Sequence, residues 1–416
     1  MRIAIVGSGI SGLTAAYLLS RKHEITLFEA KSRLGGHTAT VEVKEGDRPL
    51  AIDTGFIVFN DWTYPNFIRL LDELGIRSQP TSMGFSVRCD KEDFEYAGNN
   101  LNSLFSQRSS LFSAGHWRML WDIMRFNRSA LRDWREGRLH DGLTLGEYLP
   151  ANGYSTEFTN RYLVPMGSAI WSASFAQVLE FSVDFFVRFF LNHGLLNLLR
   201  RPQWQVIHGG SRSYIGPLKA PYADKIRLST PVRSVRRTGK GVELIVSTGE
   251  ECSFDAIVFA CHSDQALQCL GDATAMERQV LGAIPYTLNE VVLHTDTTML
   301  PRHRRSWSSW NYRLVTERNQ LPILTYNMNI LQGLKTRKTY CVTLNAEKRI
   351  DPYKILAHFE YAHPQFSLTA SQAQQQWPLI NGVNRTWFCG AYWANGFHED
   401  GVNSALRVAE SLGVRW

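Results

Sequence analysis

The stretch Arg2-Ile-Ala-Ile-Val-Gly-Ser-Gly-Ile-Ser-Gly12 decides the fold of this chain. Residues 2–6 are rich in β-branched side chains, which is typical of a strand buried on both faces. The pattern G-x-G-x-x-G follows at once, and Leu13 to Leu19 then predicts a helix. Such a turn presents backbone N–H groups and the positive end of a helix dipole to phosphate. The opening stretch therefore predicts a dinucleotide site in an α/β domain.

Each glycine of this turn has its own role in such a site. Gly7 permits the tight turn, Gly9 lets the backbone approach a pyrophosphate, and Gly12 lets the helix pack closely on the strand. A second buried strand is predicted over His23 to Phe28, and Glu29 follows it. An acid about 20 residues after the glycines can accept hydrogen bonds from an adenosine ribose. Together these features favour dinucleotide binding over an ordinary glycine turn.

The segment that begins at Glu29 distinguishes FAD from NAD. Glu29-Ala-Lys-Ser-Arg-Leu-Gly-Gly36 resembles the E-x-x-x-R-x-G-G extension of the flavin amine oxidase and phytoene desaturase superfamily. In that superfamily the arginine and both glycines continue the FAD site. The resemblance therefore implies FAD, with Arg33 as a cation for phosphate and with Gly35 and Gly36 letting main chain pass beneath the cofactor.

Four inner segments resemble the same superfamily. Asp53 to Phe56 is similar to its D-x-G turn, and Gln205 to Ser211 is similar to its V-x-G-G segment. Ile226 to Val235 looks like the strand whose backbone meets the adenine. Asp255 to Ala260 looks like its D-x-V-V-x-A strand. The resemblance thus extends well beyond the amino-terminal turn.

The carboxy-terminal segment also resembles the superfamily. Trp387 to Gly390 is similar to its closing strand, and the residues from Gly396 onward are similar to its glycine turn and last helix. We expect that helix to begin at Gly401 and Val402, with its amino terminus towards the flavin pyrimidine ring. A positive dipole end there would stabilise the anionic reduced flavin.

The fold class follows from these segments. We predict an α/β protein with a Rossmann-like FAD-binding domain, built on a mostly parallel sheet, and an interleaved α+β substrate domain, as in amine oxidases. The FAD-binding domain is assigned residues 1–60, 200–282 and 381–416, and the substrate domain residues 61–199 and 283–380. The resemblance implies these FAD-binding residues: Gly7, Gly9, Ile10, Ser11, Gly12, Glu29, Ala30, Arg33, Gly35, Gly36, His37, Thr54, Gly55, Phe56, Pro231, Val232, Gly390, Ala391, Gly401, Val402 and Ser404.

The composition is that of a globular protein. The chain has 416 residues, of which 44% are hydrophobic and 20% charged, and this excludes a fibre or a disordered tail. Its six cysteines form no C-x-x-C pair and no zinc spacing, so we expect reduced thiols and no metal. The apolar run Phe189 to Leu199 is too short to span a membrane. We expect a cytoplasmic protein with no nucleic-acid partner.

Two residues are candidates for proton handling. Glu290 aligns with the position at which many amine oxidases carry a lysine near the flavin. His398 takes the place of one aromatic residue of their substrate cage, and an unperturbed imidazole titrates near neutrality. Ala391 follows Gly390 where related flavoproteins often have an acid. These departures count against amine oxidation and leave FAD binding intact.

Large apolar side chains dominate the predicted substrate domain. A helical stripe that we expect to form domain core contains Trp117, Leu120, Trp121 and Met124. The phenylalanines of residues 185–190 crowd nearly a full helical circumference, so they must be buried against protein, a ligand or lipid. Basic clusters at Arg200-Arg201, 302–305 and 335–338 indicate either contact with an anionic membrane or ordinary solvated charge.

Three segments resemble a narrower group. Phe94 to Asn102, Asn192 to Leu196 and Tyr392 to Gly401 are similar to bacterial predicted NAD/FAD-binding proteins whose genes often sit beside cyclopropane-fatty-acyl-phospholipid synthases. The resemblance implies an FAD-dependent oxidoreductase that passes hydride from a substrate C–H bond to flavin N5 and oxidises or desaturates an apolar acyl or lipid substrate. Two alternatives stay open: a flavin amine oxidase acting on a primary or secondary amine, and a non-catalytic lipid-binding carrier on the same fold.

Overall fold

The computed structural model describes residues 1–139, 142–197, 201–315 and 317–416. Arg200 of the predicted basic pair and Leu199 of the apolar run lie outside these residues. Within them the strands are β1 (Arg2–Val6), β2 (Glu24–Phe28), β3 (Thr40–Glu45), β4 (Arg48–Asp53), β5 (Val58–Asn60), β6 (Ser78–Pro80), β7 (Phe85–Cys89), β8 (Phe94–Ala97), β9 (Trp204–Ile207), β10 (Ile226–Arg227), β11 (Val232–Arg237), β12 (Val242–Val246), β13 (Glu251–Phe254), β14 (Ala256–Phe259), β15 (Tyr286–His294), β16 (Trp310–Arg313), β17 (Ile323–Asn327), β18 (Cys341–Leu344), β19 (Ile355–Pro364) and β20 (Thr386–Phe388).

The α-helices of the same residues are α1 (Ile10–Leu19), α2 (Pro65–Glu73), α3 (Leu101–Leu104), α4 (Ala114–Arg135), α5 (Leu145–Ala151), α6 (Thr156–Phe158), α7 (Val164–Trp171), α8 (Phe175–Leu179), α9 (Val183–Asn192), α10 (Ile215–Lys219), α11 (Ser263–Cys269), α12 (Ala275–Gly282), α13 (Met328–Leu331), α14 (Leu368–Gln375), α15 (Trp377–Ile380) and α16 (His398–Ser411).

A five-stranded parallel sheet organises the dinucleotide-binding half. Its order is β10-β2-β1-β14-β20, and every neighbouring pair is parallel. The strand β14 is buried throughout because helices cover both faces of a parallel sheet. The helix α1 connects β1 to β2 and packs against α16. This architecture confirms the predicted fold class.

A second, seven-stranded sheet lies in the other half. Its order is β19-β15-β18-β17-β16-β7-β8, and it is antiparallel except where β16 pairs with β7. One of its apolar faces packs on the hairpin β3-β4, which follows the cofactor loops in sequence. The two sheets are thus joined near the predicted FAD site. The proposed division into domains stays a prediction.

The predicted adenine strand from Ile226 to Val235 is not one strand. It divides into β10, in the parallel sheet, and β11, in an antiparallel sheet with β12 and β13. The break falls at Ser229, whose φ of 51° is left-handed, and at Pro231, which has no N–H to donate to a ladder. The single-strand prediction was therefore wrong in its connectivity.

The predicted core stripe of α4 is also wrong. Trp117, Trp121 and Met124 are exposed, and the helix instead buries the face that carries Asp122 and Asp133. Asp122 accepts hydrogen bonds from Ser155 N–H and Oγ–H, and Asp133 accepts one from the Tyr148 hydroxyl. Because these acids find partners inside the domain, the helix turns its indoles outward.

The phenylalanine-rich helix α9 is buried as the sequence predicts. Phe185, Phe186, Phe189 and Phe190 all belong to one apolar cluster with helices α4 to α8. Phe189 packs against Trp171 with 4.6 Å between ring centroids. In the described part of the chain, no helix combines the length and hydrophobicity needed to cross a bilayer. Its cysteines are all free thiols, and no His, Cys, Asp or Glu group within it is arranged to hold a metal ion.

Candidate active site

The glycine turn leaves room for phosphate at one position only. A Cβ on Gly12 would lie 1.9 Å from the Gly7 carbonyl oxygen, so this glycine lets α1 pack against β1. A Cβ on Gly9 would have nothing within 4 Å. Gly9 is also the N-cap of α1 and no side chain caps the helix, so its first N–H groups have no partner in the helix. The open space and the free N–H groups together fit a pyrophosphate.

Glu29 holds the glycine turn in place. Its carboxylate accepts hydrogen bonds from the Ser8 N–H at 3.0 Å and the Ser8 hydroxyl at 2.5 Å. The other carboxylate oxygen accepts the Lys31 N–H at 2.8 Å. The Glu29 carboxylate, which we predict to contact a ribose, therefore also holds the glycine turn in position. That contact stays a prediction.

The Arg33 loop lies against the same turn. The Arg33 guanidinium donates to the carbonyls of Gly36 at 3.0 Å and Thr38 at 3.1 Å. The Gly35 N–H donates to the Ser8 carbonyl at 2.9 Å. Arg33 thus braces its own loop as well as adding positive charge beside the predicted phosphate site.

The Thr54–Phe56 turn and the Pro231–Val232 pair adjoin these loops. A Cβ on Gly55 would lie 2.1 Å from the His37 carbonyl oxygen, so the turn approaches the loop after Gly36 closely. Pro231 and Val232 lie close to Glu29 in space, because the N–H of the preceding residue, Thr230, donates to the Glu29 carbonyl. Ala30 follows in the same bend.

His398 is buried between three of the predicted cofactor segments. Its Nε2 lies 3.0 Å from the Thr38 hydroxyl and 3.2 Å from the Tyr214 hydroxyl. The Phe56 ring stacks on the imidazole with 3.5 Å between centroids. Burial lowers the pKa of His398 to about 3. The expectation that it titrates near neutrality was therefore wrong, and His398 is a neutral imidazole at physiological pH.

The last helix begins earlier than predicted. α16 starts at His398, so Gly401 and Val402 lie inside it rather than at its amino terminus. Asp400 fixes this start because its carboxylate accepts the Phe397 N–H at 2.9 Å. The dipole end consequently lies beside His398.

Gly401 and Ser404 connect this helix to the cofactor loops. A Cβ on Gly401 would lie 2.7 Å from the Ile10 Cγ2 atom, so the glycine permits close packing of α16 on α1. The Ser404 hydroxyl accepts the Gly390 N–H at 3.1 Å, which ties the helix to the end of β20 next to Ala391. The predicted residues of both chain ends therefore meet.

Three further imidazoles line the same region. The His37 ring lies 6.2 Å from the His262 ring and 5.3 Å from the His363 ring. The His37 Nε2 atom is buried and has no hydrogen-bond partner in the part of the chain that the structure describes. Burial and the neighbouring imidazoles hold the pKa of His37 well below its ordinary value, and burial lowers the pKa of His363 to about 4.

His262 and His363 were missed in the sequence. His262 follows β14 at the same sheet edge as the glycine turn, a placement that the D-x-V-V-x-A segment could have indicated. His363 lies on β19 and is held by Asn289, whose amide nitrogen is 3.0 Å from the His363 Nδ1. No local signal in the sequence relates His363 to the cofactor loops.

Glu290 does not share a site with His398. Its carboxylate accepts the Glu347 N–H at 2.6 Å. Along β15 successive side chains point to opposite faces, and Val291 lies on the face that packs against Tyr361 and the cofactor-side hairpin. Glu290 therefore points away from that face, and the neighbouring Asn289 lies beside His363 instead.

A cavity of about 360 Å³ lies beside the start of α16. Phe397, Glu399 and Asp400, the neighbours of His398 in sequence, line one side of it. The remaining lining residues are Trp62, Thr63, Tyr64, Pro65, Asn192, His193, Asn395 and Asn403. The cavity thus lies between α2, the end of α9 and the start of α16.

Comparison with known proteins identifies the family. The sequence pattern described as flavin containing amine oxidoreductase matches residues 10–308, which is more than half of the chain. The chain belongs to this family. The superfamily resemblance and the FAD cofactor are thereby confirmed.

Known proteins resemble this chain at low sequence identity. An L-amino acid dehydrogenase of Synechocystis sp. is 26% identical over 268 residues, covering 61% of this chain and 54% of that protein. The chain spans about half the length of the curated relatives it matches.

Solved structures share the fold across the whole chain. A double mutant of putrescine oxidase has a TM-score of 0.70 at 15% identity, and a CLA-producing fatty acid isomerase from P. acnes has 0.69 at 13% identity. Each alignment covers 99% of both chains. The fold is therefore common to proteins that act on amines and on fatty acids, and it does not choose between these substrates.

Proposed function

We propose that this family member is an FAD-dependent oxidoreductase that removes hydride from a C–H bond of an apolar acyl or lipid substrate, at the inner face of a membrane. The observation that carries the proposal is the uncharged, aromatic surrounding of His398. Neutral imidazoles and aromatic rings supply apolar contact area for an alkyl chain, although the faces of such rings also attract ammonium ions.

The apolar cluster formed by helices α4 to α9 packs against Phe397, the residue that precedes His398. The Phe397 ring packs against the Phe189 ring of α9 at 5.4 Å, and Phe185 packs against Phe366 at 5.3 Å. Phe366 is a member of this cluster, and Phe397, which precedes α16, packs against it. An apolar substrate held by these rings would therefore lie next to the imidazole.

The carboxylates near His398 are committed to backbone groups. Glu399 accepts the N–H groups of Asn66 at 3.1 Å and Phe67 at 2.8 Å, which caps the amino terminus of α2. Asp400 accepts the Phe397 N–H in the same manner at α16. Because both carboxylates already accept backbone N–H groups, fewer of their lone pairs are available to a substrate cation.

The proposed mechanism assigns separate roles to the cofactor and the chain. Bound FAD supplies a two-electron acceptor for the hydride. The hydroxyls of Thr38 and Tyr214 hold His398 Nε2, and a tautomer with its hydrogen there leaves a lone pair on Nδ1. Phe56 stacks on the ring and excludes water from one face. His398 Nδ1 is therefore the atom that we assign to accept the substrate proton.

Substitution of His398 tests this assignment. We expect His398→Gln to retain FAD and to slow flavin reduction by about 10²-fold, the low end for a proton acceptor, because a depressed pKa makes the imidazole a weak base. Since burial keeps the wild-type imidazole neutral, ionisation of His398 itself should add no step to the rate between about pH 5 and 8. Stopped-flow measurements of flavin reduction give both the rate of the variant and the pH dependence of the wild-type rate. An unchanged rate in His398→Gln would remove His398 from the mechanism.

A flavin amine oxidase is the second candidate, and the lining of the cavity favours it. Glu399 and Asp400 contribute to this cavity beside Asn192 and Asn395. Burial raises the pKa of Asp400 to about 7, so part of its population is ionised at neutral pH. A compact polar cavity with one such carboxyl suits a small amine.

Anaerobic mixing separates the two candidates. The holoenzyme is mixed with an unsaturated fatty-acyl phospholipid in micelles, and separately with primary and secondary alkylamines, while the flavin absorbance is recorded. We expect bleaching by the acyl lipid, and a product that has lost two hydrogens by mass spectrometry. Bleaching by amines alone would establish the second candidate and reject the first.

A further inference from the structure

The structure has an exposed apolar surface around the start of α4. It consists of side chains from α3, from the 3₁₀ turn Arg108–Phe112 and from the first half of α4. Their exposed fractions are 76% for Leu101, 42% for Leu111, 92% for Phe112, 51% for Trp117, 61% for Trp121 and 42% for Met124. We call these six residues the docking face. Large aromatic groups at such exposure indicate an interaction site rather than scattered surface residues.

The side chains of the docking face are held together by local structure. The Trp117 indole N–H donates to the Leu111 carbonyl at 2.9 Å, which fixes the 3₁₀ turn against α4. Trp117, Trp121 and Met124 follow one another at spacings of four and three residues, so they form a single stripe on α4. The face is therefore a formed surface and not a loose loop.

Cationic residues border this face. Both acids of α4, Asp122 and Asp133, are buried, whereas Arg118 and Arg128 are exposed on the same side as the indoles. Arg118 leaves 60% of its side chain exposed although it lies 3.7 Å from Asp122. The α4 surface thus presents apolar rings and positive charge without an exposed carboxylate of its own.

A second basic cluster adjoins the face from another part of the chain. The turn Arg304–Ser306 contacts α3, and the hydroxyls of Ser306 and Ser106 lie 2.5 Å apart. Arg304 and Arg305 are exposed there. Arg302 differs, because it forms ion pairs with Asp90 and Asp93. Of the predicted basic cluster 302–305, Arg304 and Arg305 are therefore the exposed arginines on the turn that contacts α3.

We propose that the docking face binds the surface of an anionic phospholipid bilayer. Indole and phenyl rings at the level of the headgroups, bordered by arginines that reach phosphate, are the arrangement by which interfacial helices bind membranes. The exposed rings and the charges carry this inference, and the choice of a lipid over a protein partner rests on the proposed function. The occupant is the bilayer itself rather than a second copy of the chain, since a like-charged copy would bring these arginines face to face.

Vesicle binding by the FAD-loaded full chain tests the proposal. Sedimentation is measured with phosphatidylcholine vesicles and with vesicles that contain about a third phosphatidylglycerol. The variant Phe112→Ala/Trp117→Ala/Trp121→Ala should lose binding by about tenfold or more, because three inserted rings are removed. The variant Arg118→Gln/Arg128→Gln should lose binding to anionic vesicles at low salt and differ little at high salt.

Matched controls carry equally exposed residues from other surfaces. Tyr353 is 99% exposed on a distant turn, and the Arg415 side chain is 88% exposed near the end of the chain. Tyr353→Ala and Arg415→Gln should bind vesicles as wild type does. Flavin content confirms that each variant is folded, and the conservative Trp117→Phe/Trp121→Phe pair should keep binding while losing quenching by brominated lipid.

The outcomes distinguish docking from the choice of substrate. Loss of binding in the ring variant with intact controls supports the docking face, even if no acyl lipid reduces the flavin. Reduction by micellar acyl lipid with equal vesicle binding of wild type and ring variant would overturn the docking face and leave the proposed function standing. A lipid-independent dimer that the ring variant dissociates would likewise overturn the bilayer as occupant.

Discussion

Gly9 and Gly12 occupy the same turn, yet the surroundings of a Cβ differ between them. At Gly12 the added atom would collide with the Gly7 carbonyl, and at Gly9 it would enter open space with φ at −67°, which any residue adopts. An added methyl group should therefore affect the stability of the fold at Gly12 and the binding of FAD at Gly9.

We expect Gly9→Ala to fold with unchanged thermal stability and to bind FAD at least about tenfold more weakly, a loss of roughly 1.4 kcal/mol. The reason is that the new methyl group occupies the space which we assign to the pyrophosphate. Apoprotein melting and FAD titration measure the two effects. Gly12→Ala is the control, because it should lower the melting temperature of the apoprotein itself. Wild-type FAD affinity in Gly9→Ala would place the pyrophosphate elsewhere.

Among elements, those built from consecutive residues could be predicted from the sequence and those set by distant contacts could not. The unit β1-α1-β2 follows from buried strands and a glycine turn that are adjacent in the chain. The start of α16 depends on which carboxylate caps it, and Asp400 does so before Gly401. The outward rotation of α4 depends on the hydrogen bond between Asp122 and Ser155, the N-cap residue of α6. Apolar periodicity alone does not contain such partners.

The same distinction applies to the candidate site. The residues of the two glycine-rich segments were predicted because their roles are local to a turn. The contact between His37 and His363 joins a cofactor loop to the second sheet, and these two residues are far apart in the sequence. The neutral state of His398 depends on burial by Phe56 and Tyr214, which the sequence does not reveal.

At the scale of the whole molecule, buried neutral imidazoles contribute to the response of stability to acid. Burial lowers the pKa of His193 and of His294 to about 4, and that of His398 to about 3. For these groups the unfolded state, with a pKa near 6.5, binds more protons than the folded state, so stability falls as pH drops below that value. Asp53 and Asp400 act in the opposite direction, because burial raises the pKa of each carboxyl to about 6 and about 7.

His294 isolates this effect far from the cofactor. It is fully buried on β15, its Nδ1 accepts the Asp296 N–H, and its Nε2 lies 2.7 Å from the Thr343 hydroxyl. We expect this one imidazole to contribute about 2 kcal/mol to the loss of unfolding free energy between about pH 7 and pH 5. His294→Gln should therefore show a shallower pH dependence, whatever its stability at pH 7, when unfolding is measured by denaturant titration at both values. The exposed His208, changed to Gln, is the matched control and should leave the slope as in wild type. A slope in His294→Gln equal to that of wild type would mean that His294 is already solvated in the native state.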